Sequence, residues 1–462
     1  MLSSEKGADI EATNIETLDF SELYRASAQL VVASPDASLL ATGVEHRVVV
    51  RDAETLSITQ VFALAKGSVD ALLFSCDSCF VAAASRASAT LCVWSLVDEW
   101  SCAIAEGVAG IAHVKFAPDG RHLLVFSDFQ LRITVWSLVT KDAAYIQFPK
   151  FKDKGYCFRK DGRYFALAER KECKDTVSIY DCEDWTLLKH FPVDTSDLED
   201  IAWSPDGRFI AVWECLLEYK MLIYSPDGRL ITSYSAYEPG LGIKSAAWSP
   251  SSQFLAIGSY DDKCRLIHNM TWKPLIDLAH PAQLPFPDIP VYKESNMRDI
   301  KDVSRMKIWS MSGDNRPRIH YELHRPPVTI PTVRPDADKP GPPRRGIGFA
   351  SFNCTGSLLC TRSDAAPTAL WIWDLTRLAQ AALLLQMQAV RCVAWNPMRP
   401  GVLAVSCGGA CIYLWEAGTG ACAIEVPAVG FSIVGMQWSP DGRSLVLMDR
   451  DKFTVAFLVE KM

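Results

Sequence analysis

The chain has 462 residues, of which 49% are hydrophobic and 22% charged, and its formal net charge is -7. This composition is typical of a globular protein with ample material for a core, and the weakly acidic charge argues against a protein that coats nucleic acid. The sequence contains no run of eighteen apolar residues, so no membrane span is predicted. Its 15 cysteines are scattered, which favours small core residues in a reducing cytoplasm over a disulfide framework.

The first predicted elements precede any repeat. Residues 1–17 form an acidic extension without the apolar segment of a secretory signal. Residues 18–26 follow as a candidate strand, whereas the last repeat ends at residues 453–459 with no residues left for an outer strand. We therefore expect residues 18–26 to complete the last repeat, because closing a ring of sheets removes exposed edges.

From residue 31 onward the chain repeats one pattern nine times: an apolar strand, a turn of the Ser-Pro-Asp-Gly kind and a second apolar strand. Pro presets φ at the first corner of such a turn, Asp bonds back to the backbone, and Gly accepts positive φ. The nine turns begin at Ser34, Ser75, Ala117, Arg159, Ser204, Ser249, Asn353, Asn396 and Ser439. Their spacing is 41 to 45 residues with one exception, and this period is typical of propeller blades.

A third strand with period-2 alternation follows most turns, as in residues 92–95 and 371–374. The pattern resembles the WD-repeat superfamily, although Trp373-Asp374 is the one literal Trp-Asp pair. It predicts an all-β fold: a WD40-type β-propeller of nine repeat units in one closed ring of eight or nine blades. A seven-bladed ring with extra blades and two incomplete rings are the alternatives. We expect the blades to cohere mainly through apolar packing, rather than through the buried Asp-His-Ser-Trp network of regular repeats.

The exceptional gap of 104 residues lies between the sixth and seventh turns and marks an insertion. We place it at residues 281–346 of a propeller that spans residues 18–462. It holds 12 of the 26 prolines and has a net charge of +4. Because proline lacks a backbone donor, we expect little regular structure there and a segment that is mobile or draped on the surface. Residues 289–292 and 306–311 are nevertheless candidate strands.

No catalytic, cofactor-binding or metal-binding residue is predicted, and the chain is not expected to be an enzyme. Cys76 and Cys79 form the sole C-x-x-C pair and lack the second pair or histidines that a zinc site needs. Arg344 and Arg345 resemble the paired arginines of phosphoinositide-binding propellers, because adjacent guanidinium groups grip phosphates. If they bind phosphates, the protein is instead a phosphoinositide-binding propeller at a membrane surface, which is the alternative function. If they do not, Arg344 and Arg345 are part of a solvated basic linker.

One region is more distinctive than a generic blade. It comprises residues 131–138, 167–175, 218–220, 234–238 and 241–256. This region resembles the WD repeat-containing protein eight family of centrosomal WD-repeat proteins, and the likeness is densest over residues 117–260. The resemblance implies a non-enzymatic scaffold at the centrosome, the spindle pole and the microtubule-organising centre, which supports spindle organisation and minus-end anchoring.

The same resemblance implies the partners. They are a coiled-coil microtubule-anchoring protein, of the synovial sarcoma X breakpoint-interacting type in animals and the Msd type in fungi, and, in the fungal assembly, a kinesin-14. Neither nucleic acid nor a membrane is an expected partner.

Blade topology predicts where such a partner docks. Turns between second and third strands, and loops that lead into first strands, open on one face of the ring. In units four to six this face should carry six candidate partner-binding residues: Arg170, Lys171, Trp213, Glu218, Tyr237 and Glu238. Aromatic and arginine side chains are typical interface anchors. The structural alternative is that Trp213 caps the core and that the charged groups are merely solvated.

Overall fold

The computed structural model describes residues 17–284, 288–296, 319–333 and 341–459. Within these ranges nine sheets of three or more strands follow one another in chain order, so the protein is a nine-bladed β-propeller. An apolar cluster fills each junction between consecutive blades, including the junction between the last blade and the first. The prediction of a single closed ring is therefore confirmed, with nine blades.

The chain enters the ring through two short strands and then builds the first three blades. These strands are β1 (Thr17–Phe20), β2 (Tyr24–Arg25), β3 (Val31–Ala33), β4 (Leu39–Val44), β5 (Arg47–Asp52), β6 (Ile58–Ala63), β7 (Ala71–Phe74), β8 (Phe80–Ser85), β9 (Thr90–Ser95), β10 (Ser101–Ala105), β11 (His113–Phe116), β12 (His122–Phe126), β13 (Arg132–Ser137) and β14 (Ala143–Gln147). Strands β3–β6, β7–β10 and β11–β14 form blades 1, 2 and 3.

Blades 4, 5 and 6 each consist of four consecutive strands. They are β15 (Tyr156–Phe158), β16 (Tyr164–Lys171), β17 (Lys174–Asp181), β18 (Leu187–Pro192), β19 (Leu198–Trp203), β20 (Ile210–Glu214), β21 (Met221–Tyr224), β22 (Leu230–Tyr234), β23 (Ile243–Trp248), β24 (Phe254–Ser259), β25 (Lys263–His268) and β26 (Pro274–Ala279). Within each blade neighbouring strands pair antiparallel, and the first strand lies innermost.

The last three blades include the inserted strands. Their strands and those of the insertion are β27 (Gln283–Leu284), β28 (Val291–Asn296), β29 (Ile319–His324), β30 (Val328–Thr329), β31 (Ile347–Phe352), β32 (Leu358–Ser363), β33 (Ala369–Asp374), β34 (Ala379–Leu385), β35 (Cys392–Trp395), β36 (Val402–Ser406), β37 (Cys411–Glu416), β38 (Gly420–Glu425), β39 (Gly435–Trp438), β40 (Ser444–Met448) and β41 (Lys452–Val459). Blade 7 is built on β31–β34, blade 8 on β35–β38 and blade 9 on β39–β41.

The repeated turn has a local cause. In blade 1 the Ser34 hydroxyl donates to the Asp36 carboxylate at 2.5 Å, and the backbone N–H of Leu39 donates back to the Ser34 oxygen at 2.9 Å. The same arrangement joins Ser204, Asp206 and the N–H of Phe209 in blade 5. Short polar side chains thus satisfy the backbone where the chain reverses, which explains why the pattern recurs at most of the hairpins.

The ring closes where the sequence predicted. Strand β1 pairs antiparallel with β41, and β2 pairs with the start of the same strand. Between them the Ser21 backbone N–H donates to the carbonyl of Val455 at 2.9 Å, and the Ser21 side chain contacts the Thr454 hydroxyl at 3.2 Å. The N-terminal segment therefore supplies the outer strand of blade 9, and hydrogen bonds join the two ends of the chain.

The expectation of little regular structure in the insertion is wrong for its described part. Strands β28 and β29 form a hairpin, and β28 pairs in parallel with β34, so blade 7 has six strands. Buried Glu294 on β28 accepts hydrogen bonds from the Tyr413 hydroxyl (2.6 Å) and the backbone N–H of Met387 (2.7 Å). Pro290 and Pro326 flank the hairpin rather than interrupt it, which is why the prolines did not prevent pairing. Residues 306–311 lie outside the described residues.

Blades cohere mainly through apolar packing, as expected, but blade 7 also keeps a buried polar network. The Thr361 hydroxyl accepts a hydrogen bond from the Trp373 indole (2.8 Å) and lies 2.7 Å from Nε2 of His280. Nδ1 of His280 lies 3.2 Å from the carbonyl oxygen of Asp262, so it carries the proton and Nε2 accepts. Burial lowers the pKa of His280 to about 4, which keeps the ring neutral.

Helical structure is minor. Across the part of the chain that the structure describes, no helix is long and apolar enough to cross a membrane. Two 3-10 turns, Gly107–Ala109 and Asp128–Gln130, lie on the loop into β11 and on the turn between β12 and β13.

Candidate partner-binding face

Trp213 is not an exposed anchor, so that part of the sequence prediction is wrong. Its side chain is 6% exposed and packs between blades 5 and 6 with Tyr219, Ile243 and Leu255. Trp213 lies on β20, a second strand, and both faces of such a strand are covered by neighbouring blades. The alternative that Trp213 is a core residue is therefore correct.

Arg170 faces the predicted side of the ring but is held by acidic groups of its own chain. Its guanidinium contacts the Asp197 carboxylate and lies 3.5 Å from that of Asp175. Lys150 completes the network at 3.0 Å from Asp175 and 2.8 Å from Asp197. The hydrogen bond from Lys150 helps to lower the pKa of Asp197. This network fastens the loop into β19 to blade 4, so Arg170 acts chiefly as a structural residue.

Lys171 is exposed and free of such constraints. It closes β16 in a two-residue hairpin whose central residues, Glu172 and Cys173, have φ angles of 50° and 61°. Its ammonium lies 5.4 Å from the centre of the Phe148 ring. We call residues 171–174, which include Lys171 and Lys174, the lysine turn.

Tyr237 and Glu238 lie on the loop into β23, beside the loop that carries Glu218. The backbone N–H of Gly242 donates to the carbonyl of Leu216 at 2.8 Å and holds these two loops together. Tyr237 is partly buried, with its ring 4.9 Å from that of Tyr219 and 5.5 Å from the Arg265 guanidinium. Burial raises its pKa. Glu238 is exposed and Glu218 partly so. The structure thus brings these three residues together, one blade away from the lysine turn.

Four exposed apolar side chains of this face lie on blade 3 and on the loop into blade 4, and the sequence reasoning missed them. Val108 is fully exposed, Phe129 is 92% exposed, Leu131 61% and Phe148 45%. We call these four residues the apolar patch. They lie on loops into first strands or on the turn between a second and a third strand, which are the loop classes predicted to share one face.

Contacts between the loops make the patch continuous. An added Cβ on Gly110 would lie 2.1 Å from the Asp128 carboxylate, so the turn that carries Val108 lies beside the turn that carries Phe129. Arg132 pairs with Gln147 at the end of blade 3, which places Leu131 and Phe148 at the next positions of the two strands. The carbonyl of Phe148 accepts from the N–H of Arg170 at 3.2 Å, which joins the patch to the lysine turn.

Phe129 is exposed at a backbone position that does not favour it. Phe129 and Gln130 both have a φ of 57°, in the left-handed region. Such a conformation costs a residue with a side chain about 1–2 kcal/mol, and the exposed ring gains little packing in return. Apolar residues inside a predicted turn between the second and third strands were the sequence signal that could have revealed this patch.

The other candidate sites are not assembled. Among the described residues, no group of three or more His, Cys, Asp or Glu side chains could hold a metal ion. The Cys76 thiol donates to the carbonyl of Pro118 at 2.7 Å, as part of a turn. Arg345 lies 3.5 Å from the Asp262 carboxylate, whereas Arg344 is exposed.

Comparison with known proteins agrees with the fold. The family model "WD domain, G-beta repeat" matches residues 228–268. WD repeat-containing protein WRAP73 of Mus musculus is 43% identical over 450 residues, which cover 96% of each chain. An uncharacterized WD repeat-containing protein of Schizosaccharomyces pombe is 25% identical over 480 residues, which cover 96% of this chain and 93% of that one.

Among solved structures, the C-terminal WD40 domain of Sif2 superposes with a TM-score of 0.48 at 12% identity, over 88% of this chain and 99% of that one. The similarity to WRAP73 extends over nearly the whole of both chains at 43% identity. On that basis, this chain belongs to the family of WD-repeat proteins that includes WRAP73.

Proposed function

We propose that this protein is a non-catalytic scaffold at the centrosome and spindle pole, where it binds a coiled-coil microtubule-anchoring protein. The observation that carries the proposal is the apolar patch on the face of the ring, because monomeric proteins rarely leave large apolar side chains together in water without a partner. Phe129, Leu131 and Phe148 also lie within residues 117–260, where the resemblance to centrosomal WD-repeat proteins is densest.

The fold suits this role. Nine blades packed at nine apolar junctions form a rigid ring, and the loops on its face are fixed by contacts such as the Lys150 network. A rigid platform binds without losing much conformational freedom, so more of the contact energy remains as affinity. A coiled-coil protein has the complementary property, an apolar stripe along a helix.

The proposed function is tested by purifying the tagged protein from dividing cells and identifying its partners by mass spectrometry. We expect one coiled-coil microtubule-anchoring protein at near-equal stoichiometry, accompanied in fungal cells by a kinesin-14. The tagged protein should concentrate at spindle poles. Even distribution through dividing cells, without such a partner, would contradict the proposal.

The alternative of a phosphoinositide-binding propeller has less support. Arg345 already faces the Asp262 carboxylate, and Lys244 fixes the same loop through the carbonyl of Arg345 at 2.8 Å. An arginine pair in which one member is engaged by its own chain is a poor phosphate clamp. Flotation of the protein with phosphoinositide vesicles tests this alternative directly, and we expect it to stay in the soluble fraction.

A further inference from the structure

We propose that the apolar patch and the lysine turn together bind one amphipathic helix that carries acidic residues at one end of its apolar stripe. The inference rests on the proposed function, since it assigns this helix to the coiled-coil partner. It goes further by naming the surface on the propeller and the charge of the helix that fits there.

The first step is the shape of the apolar surface. Val108, Phe129, Leu131 and Phe148 follow one another across the loops from the start of blade 3 to the start of blade 4. A helix presents apolar residues at positions i, i+3, i+4 and i+7 as a stripe. A row of separate apolar side chains on rigid loops is the surface that such a stripe can cover.

The second step is the conformation of Phe129. The chain holds its ring in solvent through two successive residues with φ of 57°, and no aromatic ring of the described residues packs against it. Local strain at an exposed aromatic is not explained by packing within the propeller. A partner that covers the ring supplies the missing contacts.

The third step is charge, which identifies the occupant. Lys171 and Lys174 are exposed, and neither forms an ion pair with any residue that the structure describes, whereas exposed Lys152 is offset by exposed Asp153 beside it. Glu172 is the one acidic residue of the lysine turn. Arg170, by contrast, is neutralised by Asp197. The blade-4 end of the patch therefore carries excess positive charge, and acidic residues at the adjacent end of the helix complement it.

The other end of the patch differs. Arg132 is engaged at 3.8 Å by the buried carboxylate of Glu106, and Asp128 is exposed beside Gly110. Acidic residues are therefore expected at only one end of the helix. This asymmetry fixes the direction in which the helix runs across the blades, because the reverse direction would place its acidic end next to Asp128.

The test uses the full chain, expressed with a tag in dividing cells, and measures capture of the coiled-coil partner that the wild type binds. One variant, Phe129→Asn with Leu131→Gln, removes apolar surface, and a second, Lys171→Glu with Lys174→Glu, reverses the charge. The matched control is Val139→Asn, because Val139 is 69% exposed on the turn between the third and fourth strands of the same blade 3. We expect each double variant to lose at least about tenfold of capture and the control to lose none.

A photo-reactive residue in place of Leu131 then identifies the occupant. We expect cross-links to one helical segment of the partner that has Asp or Glu at one end of its apolar stripe. Cross-links to a basic segment, or to a segment without a stripe, would overturn the proposal. The proposal would also be overturned if the wild type floated with phosphatidylserine vesicles and the Phe129→Asn variant did not, because the occupant would then be a membrane.

The docking surface and the proposed function can be refuted separately. Variants that capture the partner as well as the wild type overturn the docking surface and leave the proposed function intact. A wild-type chain that captures no coiled-coil protein contradicts the proposed function, and this occupant with it.

Discussion

The polar network of blade 7 predicts a specific dependence of stability on pH. His280 is neutral in the folded protein because burial lowers its pKa to about 4, whereas an unfolded histidine titrates near its ordinary value of about 6.5. Between these values the unfolded state binds more protons than the folded state. The contribution of His280 to stability is therefore fully present above pH 6.5 and is lost as the pH falls towards 4.

The size of the effect follows from the same two pKa values. Lowering the pH from 7 to 5 should reduce the free energy of unfolding by about 1–2 kcal/mol through His280. The assay is urea unfolding followed by tryptophan fluorescence at both pH values, in the wild type and in His280→Gln. The variant lacks the titrating ring, so its loss of stability on acidification should be smaller by this amount.

The comparison isolates one group. Other residues that titrate in this range are shared by both proteins and cancel in the difference, and His46→Gln serves as a control because His46 is exposed. The variant should also be less stable at pH 7, since the ring packs 4.6 Å from Trp371 and bonds to Thr361. An equal pH dependence in the wild type and in His280→Gln would refute the assignment of a neutral, buried His280.

Three further outcomes follow from the packing. Removal of residues 1–26 should lower the melting temperature and cause self-association on gel filtration, because β41 loses its partner, whereas removal of residues 1–16 should do neither. Glu294→Ala should cost about 2–3 kcal/mol in urea unfolding, because it leaves Tyr413 and the N–H of Met387 without an acceptor, and the exposed neighbour variant Lys293→Ala should cost under about 0.5 kcal/mol. Phe129→Asn should leave the protein as stable as the wild type or stabilise it by up to about 1 kcal/mol, because Asn tolerates the left-handed conformation, and a clear loss of stability would mean that the ring packs within the propeller.

The blades and the ring closure could be predicted because their cause is local. In six of the nine blades a Ser or Asn before the turn accepts a hydrogen bond from the backbone N–H five residues later, and this requirement produces the same short pattern in each of them. The closure followed from counting strands at the two ends of the chain. Neither inference needed knowledge of which blades touch.

The missed features depend on contacts that sequence spacing does not reveal. His280 bonds to Thr361, 81 positions later, because the insertion separates the two halves of the blade 7 network. Trp213 looked like a loop anchor at the end of its strand, but a second strand is covered on both faces. Strands β28 and β29 pair although the insertion is rich in proline, because neither strand contains a proline, so proline content alone misjudged the insertion.

The most direct test of the central claim is reconstitution of the purified full chain with the coiled-coil protein that it captures, followed by gel filtration with light scattering. We predict a stable complex of defined stoichiometry for the wild type and for Val139→Asn, and separate peaks for Phe129→Asn combined with Leu131→Gln. A complex that forms equally well with that double variant would contradict the claim that this face of the propeller binds the partner.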